Sequence, residues 1–199
     1  SNASLLAAAV RAAGGEPLVL PSARDTVADI RARFTEAAGA DLILTSGGVS
    51  VGDFDLVRDV LAALGQVDFW RVNVRPGKPL AFGRIDGTPL VGLPGNPVSS
   101  AVTFELFARP LLRQMLGCAA LYRPQIPVRL AADASRGDRR HYARVRLTFT
   151  ETGTLAHVTG DQGSHRLTSL AGADALAVIP EGTGILPVGA VVTALLLHD

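Results

Sequence analysis

The hydrophobic period of this chain changes once, near Gly117, and that change restricts the fold more than any other feature. Before it, helix-like segments alternate with short apolar runs; after it, apolar residues recur at every second position. Ser4–Gly15 reads as a helix, with Ser4 near its N-cap and Gly14 or Gly15 just past its end. Glu16–Leu20 reads as a strand. Asp25 caps a second helix, with Val27, Ile30, Phe34 and Ala38 on one face. Asp41 opens the next strand, and Leu56–Leu64 is a helix stopped by Gly65. The order α, β, α, β, α predicts an α/β domain with a doubly wound, mostly parallel sheet. Such a domain ordinarily begins on a strand, so a first strand is expected upstream of Ser4.

Residues 67–74 alternate in a strand-like manner. Leu80–Gly83 and Pro89–Leu93 read as strands joined through Asp86-Gly87, a hairpin signal. A long helix is expected from Val98 to Leu116, kinked or divided by Pro110. Tyr122–Pro127 reads as a linker. Beyond it Ala143, Val145, Leu147 and Phe149 fall on one strand face, with Arg144, Arg146 and Thr148 on the other. Short apolar runs punctuated by Gly153, Gly160, Gly163, Gly182, Gly184 and Gly189 predict a small β-barrel or sandwich. The expected domains are 4–118 and 119–199.

Composition removes several classes of function. Among 199 residues, nineteen basic side chains face eighteen acidic ones, and no basic stripe of the kind that binds nucleic acid is present. The apolar runs are too short for a helical membrane span. Cys118 is the single cysteine, which excludes an internal disulfide or a multi-cysteine metal site and agrees with a reducing cytoplasm. Ser1-Asn2-Ala3 reads as a remnant of tag cleavage.

Three Gly/Pro-rich segments, each following a strand, carry the polar groups. The first, Ser46–Asp55, holds Gly47, Gly48, Ser50, Asp53 and Asp55 at a strand's carboxyl end, where ligands bind in α/β sheets. It reads equally as a tight strand-to-helix turn with Asp55 as N-cap. The second, Arg75-Pro-Gly-Lys-Pro79, follows Arg71 and presents three cations within eight residues. Pro76 and Pro79 stiffen the turn that carries Lys78, which suits a phosphate or a tetrahedral oxoanion. The alternative is a basic sheet edge that discourages pairing. Arg71 and Arg75, two strand steps apart, are expected to share a face. The third, Leu93-Pro-Gly-Asn-Pro-Val-Ser-Ser100, opens a helix whose free N–H groups suit an anion, or are simply capped by Asn96 ahead of Pro97. None of these segments has the P-loop or dinucleotide-binding pattern. Asp53 and Asp55 have the donor chemistry for Mg²⁺ shared with phosphate oxygens. His141 and His165 lack metal-ligand spacing and read as surface or supporting residues, and no nucleophile elbow is present.

T-S-G-G-V-S-V-G-D-x-D, R-P-G-K-P and L-P-G-N-P-V-S, in that order, resemble the molybdopterin molybdotransferases, the MoeA family that includes the gephyrin E-domain. The likeness runs from about residue 4 to 117 and continues more weakly through Arg139–Arg144, Gln162–Ser164 and Ile179–Gly182. It implies a three-layer molybdopterin-binding domain, a C-terminal β-barrel and two domains upstream. It implies a cytoplasmic, homodimeric transferase that inserts molybdate into adenylylated molybdopterin and releases AMP with Mg²⁺. By position, Asp55 matches the family's functional aspartate, and Arg75 and Lys78 match its basic residues at R-P-G-K-P; these three are read as the catalytic groups, with Asp55 and Asp53 as the carboxylates toward the metal. Gly47, Gly48, Ser50, Arg71, Pro76, Gly77, Pro94, Gly95, Asn96 and Ser99 match the substrate-binding set. Arg139 and Ser164 match the residues that hold molybdate.

Two departures are visible. Arg71 and Arg75 stand where relatives often have lysine, which keeps charge but changes donor geometry. The family's T-G-D-E-L segment has no counterpart after residue 4, so the chain resembles a C-terminal fragment, incomplete for catalysis. The resemblance leaves room for a molybdopterin-binding adenylyltransferase-like domain or a gephyrin-like scaffold. A generic carboxylate- or sugar-phosphate-binding module is a further alternative.

Overall fold

The computed structural model describes residues 2–49 and 56–198. The chain divides into two compact units, Ser1–Val72 with Gly77–Leu121, and Asn73–Pro76 with Tyr122–Asp199. The division thus falls after Leu121, and a four-residue stretch from the middle of the first unit belongs to the second.

In the first unit four strands order as β1-β5-β4-β2: β1 (Ile43–Ser46), β5 (Thr88–Leu93), β4 (Pro79–Ile85) and β2 (Gly65–Arg71). β1 and β5 are parallel, while β5–β4 and β4–β2 are antiparallel, so the described sheet is not mostly parallel. The β4–β5 hairpin turns at Asp86 and Gly87 with φ of 48° and 85°, the conformation that a two-residue hairpin with right-handed twist requires. Two apolar clusters form on this sheet. Leu80, Val91 and Leu93 pack with Leu6 within α1 (Asn2–Ala12) and Ala13 just after it, and with Phe104 and Ala108. Ile43, Ile85 and Leu90 pack with Ile30 and Phe34 of α2 (Val27–Glu36) and Val60 and Leu61 of α3 (Leu56–Leu64). Neighbours Leu90 and Val91 enter different clusters, as strand pleating dictates.

Two expectations are corrected and a third is met. Glu16–Leu20 forms no strand: Leu18 and Val19 are 74% and 53% exposed, and without a neighbour to supply ladder hydrogen bonds an apolar run has no reason to pair. The cap of α2 is Thr26, whose Oγ1 accepts from Asp29 N–H at 3.3 Å; Asp25 lies one residue too early. The long helix is divided, as expected from Pro110, into α4 (Pro97–Thr103), a π-helical turn (Phe104–Ala108) and α5 (Arg109–Met115). Pro110 has no N–H to give, and the wider turn immediately before it absorbs the register change. Arg109, 4% exposed, donates to Leu121 O at 2.8 Å and lies 3.7 Å from Glu105, which secures the end of the first unit.

The second unit is a five-stranded barrel. β10 (Ala175–Ile179), β12 (Val191–Leu196), β6 (Gln125–Leu130), β9 (Gly153–Val158) and β8 (Arg140–Thr150) form a ring closed by β10–β8 pairing. β3 (Val74–Arg75) adds to β8 in parallel, and β7 (Ala134–Ser135) pairs with β11 (Ile185–Leu186) apart from the ring. α6 (Leu167–Ala171) lies in the connection from β9 to β10. The interior of so small a barrel has room for little more than methyl and branched aliphatic groups: Ala143, Val145, Ala156, Ala175, Ala177 and Ala194 line it with Val128, Ile179 and Val192. Closure leaves the ring without open edges. Two residues break the expected alternation of β8. Phe149 is 75% exposed, because β8 runs past the ring to its turn with β9. Arg144, expected outward beside Arg146, is fully buried.

Candidate functional site

The route of the chain through Arg71–Pro79 sets where its cations lie. Arg71 ends β2 opposite Pro79 of β4, and Val72 N–H donates to Lys78 O at 2.9 Å, closing a loop at its base. Residues 73–76 leave that base, and Val74 and Arg75 pair with Arg140 and His141. The expectation that Arg71 and Arg75 share one strand face is therefore overturned: they stand on different strands of different units. Arg71, Arg75 and Lys78 are all exposed, Pro76 and Gly77 are buried, and the Arg75–Pro76 peptide is cis.

Within the first unit the three predicted loops gather around the start of α4. Because β1 and β5 run parallel, Ser46 and Leu93 end side by side, and Gly47 N–H donates to Leu93 O at 3.0 Å. Ser100 Oγ donates to Pro94 O at 2.6 Å and lies 3.1 Å from Ser46 Oγ. Asn2 Nδ2 donates to Ser46 Oγ and Gly95 O, both at 2.7 Å, so a residue set aside as tag remnant completes the network. The backbones at Gly47 and Gly95 approach closely enough that a Cβ on Gly95 would lie 3.5 Å from Gly47 Cα. Gly77 has φ of 117°, and a Cβ there would fall onto the Thr103 methyl and 3.5 Å from Ser99 O. Only glycine lets this turn rest on the first two turns of α4.

Asn96 occupies the N-cap of α4 with Pro97 after it, yet its side chain makes no capping hydrogen bond. Ser99 is buried at 4% exposure. Gly48 (φ 68°) abuts Val57 of α3, where a Cβ would collide. Ser50, Asp53 and Asp55 lie outside the described residues. Among the described residues no group of three or more His, Cys, Asp or Glu side chains is arranged to hold a metal ion.

In the second unit the cations cluster near the start of β8. Arg139 Nη1 donates to Val74 O at 3.3 Å, and its Nε lies 3.5 Å from Asp138 without a hydrogen bond. Arg140 pairs with Glu181 at 3.3 Å. His141 is half-buried and its Nε2 has no hydrogen-bond partner. Burial first, then the charges of Arg75, Arg144 and Arg139, push its pKa down to about 4, so it is neutral near pH 7. Expected from sequence as a surface or supporting residue, it lies half-buried beside three arginine charges. Ser164 is half-buried in the loop between β9 and α6.

Sequence reasoning placed Arg144 in the Asp138–Arg144 run and on the outer strand face, and missed its burial. Its Nε donates to Ser169 Oγ (3.0 Å) and its Nη2 to Asp161 O (3.1 Å) and Gly163 O (3.2 Å). Burial pulls its pKa below the ordinary guanidinium value, opposed by Asp161. The available signal was an arginine inside the period-two strand, followed by the polar, glycine-punctuated run Thr159–Ser164.

Comparison with known proteins agrees with this architecture. Residues 1–114 match the family described as a probable molybdopterin binding domain, and residues 127–197 match the MoeA C-terminal region (domain IV). Molybdopterin molybdenumtransferase 2 of Mycobacterium tuberculosis is 40% identical over 188 residues, covering 91% of this chain and 46% of that protein. Gephyrin of Dictyostelium discoideum is 36% identical over 206 residues, covering 91% of this chain and 28% of its own length. The crystal structure of the molybdopterin biosynthesis MoeA protein from Pyrococcus horikosii superposes with a TM-score of 0.81 at 30% identity, over 100% of this chain and 48% of that one. The chain thus spans about half the length, or less, of the relatives it matches. With both domain families matched in order, the chain belongs to the MoeA family, as a molybdopterin-binding domain followed by the family's C-terminal domain.

Proposed function

We propose that this chain acts in molybdenum cofactor biosynthesis, binding adenylylated molybdopterin and molybdate and taking part in molybdate insertion with release of AMP. The observation that carries the reading is the gathering of the Ser46–Gly48, Gly77–Lys78 and Pro94–Ser100 segments at the start of α4. Backbone amides, hydroxyls and an exposed Lys78 at the carboxyl ends of β1 and β5 suit a phosphate-bearing ligand. The names of the relatives support the same chemistry.

Splitting a phosphoanhydride needs stabilisation of developing negative charge more than a covalent side chain. Lys78 and Arg75 supply fixed cations for that charge, with Arg71 for the ground-state anion. Gly47, Gly48, Ser50, Pro76, Gly77, Pro94, Gly95, Asn96 and Ser99 shape the substrate contact. Arg139 and Ser164 hold the oxoanion, and Asp55 orients the attacking group. Mg²⁺, when bound, neutralises phosphate charge; Asp53 and Asp55 are the carboxylates that would hold it. The two apolar clusters support a three-layer reading of the first unit. A cytoplasmic, homodimeric whole protein is proposed on the family resemblance alone.

The test is Lys78→Ala in the full-length protein, assayed by molybdate-dependent AMP release. Losing one preorganised donor to developing charge should lower the rate about a hundredfold or more. A wild-type rate would remove Lys78 from the reaction.

A further inference from the structure

The connection from β9 to β10 carries Ser164, yet from Gly160 to Arg166 it has no helix or strand to hold its shape. It is folded around one buried guanidinium. Arg144 Nη2 bridges the carbonyls of Asp161 and Gly163, while Nε reaches Ser169 Oγ, which itself donates to Arg166 O at 2.6 Å. The Arg144 backbone is tied to the same segment: its N–H donates to Gln162 Oε1 at 2.8 Å, and its carbonyl accepts from Gln162 Nε2 (3.3 Å), Thr159 N–H (3.0 Å) and Thr159 Oγ1 (3.1 Å). One residue therefore holds the chain before Ser164 through Thr159–Gly163 and reaches α6 after it through Ser169. The Asp161 carboxylate is engaged elsewhere, accepting from Gly163 N–H at 2.8 Å and Arg166 Nε at 3.2 Å.

A buried guanidinium whose hydrogen bonds go only to neutral acceptors, with Nη1 left without one, is expensive even with the Asp161 charge nearby, and a hydrophobic residue of similar volume would serve stability as well. Its planar fork of donors, however, fixes two carbonyls and a hydroxyl in one geometry as no aliphatic or ammonium group can. We propose that Arg144 is a positioning residue that sets the Gly160–Arg166 loop so that Ser164 meets the oxoanion. This rests on the reading of Ser164 as an oxoanion contact, and the experiment separates the two.

Molybdate binding to the 199-residue chain is measured by calorimetry for wild type, Ser164→Ala, Arg144→Lys, Ser169→Ala and the double variant Ser164→Ala/Arg144→Lys. Amide exchange is followed in parallel. Ser164→Ala should weaken binding about tenfold, the scale of one hydrogen bond to a charged group. Arg144→Lys should weaken it similarly and speed exchange at 161–166 while β10 and β12 keep their protection. Ser169→Ala, which removes one acceptor and spares the guanidinium, should act in the same direction with a severalfold effect, covering the case in which Arg144→Lys fails to fold. The double variant should bind no worse than Ser164→Ala, because Arg144 acts through Ser164. Additive losses, or wild-type affinity in both Arg144→Lys and Ser169→Ala beside a weakened Ser164→Ala, would overturn the positioning role alone. Wild-type affinity in Ser164→Ala would overturn the oxoanion reading, and this role with it.

Discussion

Mild acid should loosen the barrel through His141. Its imidazole is half-buried, its Nε2 has no partner, and burial with three arginine charges pushes the pKa down to about 4. In the unfolded chain the same group titrates near 6.5. Between these values the unfolded state takes up a proton that the folded state refuses, so stability falls as pH falls. It is complete above about 6.5 and fully lost near 4. The gap corresponds to roughly 3 kcal/mol in total, of which about 2 kcal/mol should be gone at about pH 5. Asp29, Asp161 and Glu181 act in the same direction but lower in pH: their folded values are also lowered, so their contributions hold above the ordinary carboxylate range and disappear only below it. Urea titrations followed by the amide resonances of β8 and β10, at about pH 7 and about pH 5, isolate the effect by comparing wild type with His141→Gln. The wild type should lose about 2 kcal/mol more than the variant. Equal losses in the two proteins would refute the burial argument.

Two other perturbations follow from packing. Gly77→Ala puts a methyl onto Thr103 in a left-handed backbone conformation and should cost about 1–3 kcal/mol, read as a lower thermal midpoint with reduced AMP release in the full-length protein; an unchanged midpoint would mean the turn is free to move. Leu61→Ala opens a hole between α3 and the sheet, where Leu61 is fully buried, and should cost about 2–5 kcal/mol by chemical denaturation. A cost below about 1 kcal/mol would show that α3 collapses onto the vacancy.

What could be seen in the sequence was whatever rests on local rules. The Asp86-Gly87 turn was legible because its backbone conformation admits few residue types, and the break in the 98–116 helix because Pro110 lacks a donor. The Gly47, Gly95 and Gly77 approaches were legible as Gly/Pro loops after strands. Long-range pairing was not. Glu16–Leu20 has strand composition, but pairing depends on a neighbour that composition does not report. Arg71 and Arg75 looked like steps along one strand, whereas two ladders formed with β4 and β8 divide them. Asp53 and Asp55 lie outside the described residues.

Arg144 shows why the period-two rule failed on β8. Alternation separates core from solvent only when one face of a strand meets water. β8 keeps that bargain at Arg146, which is exposed, but at Arg144 the outer face is covered by the chain's own return from β9. Covering an outward residue with a loop rather than with a second sheet offers carbonyls instead of methyls. The residue best matched to carbonyls in several directions is arginine, since its five donors lie in one plane. The same side chain that reads as surface in a strand pattern is therefore the one that such a loop selects for its interior. An arginine on the outward face of a barrel strand, with a glycine-punctuated polar run after the next strand, predicts a buried loop anchor. Here that run contains Ser164.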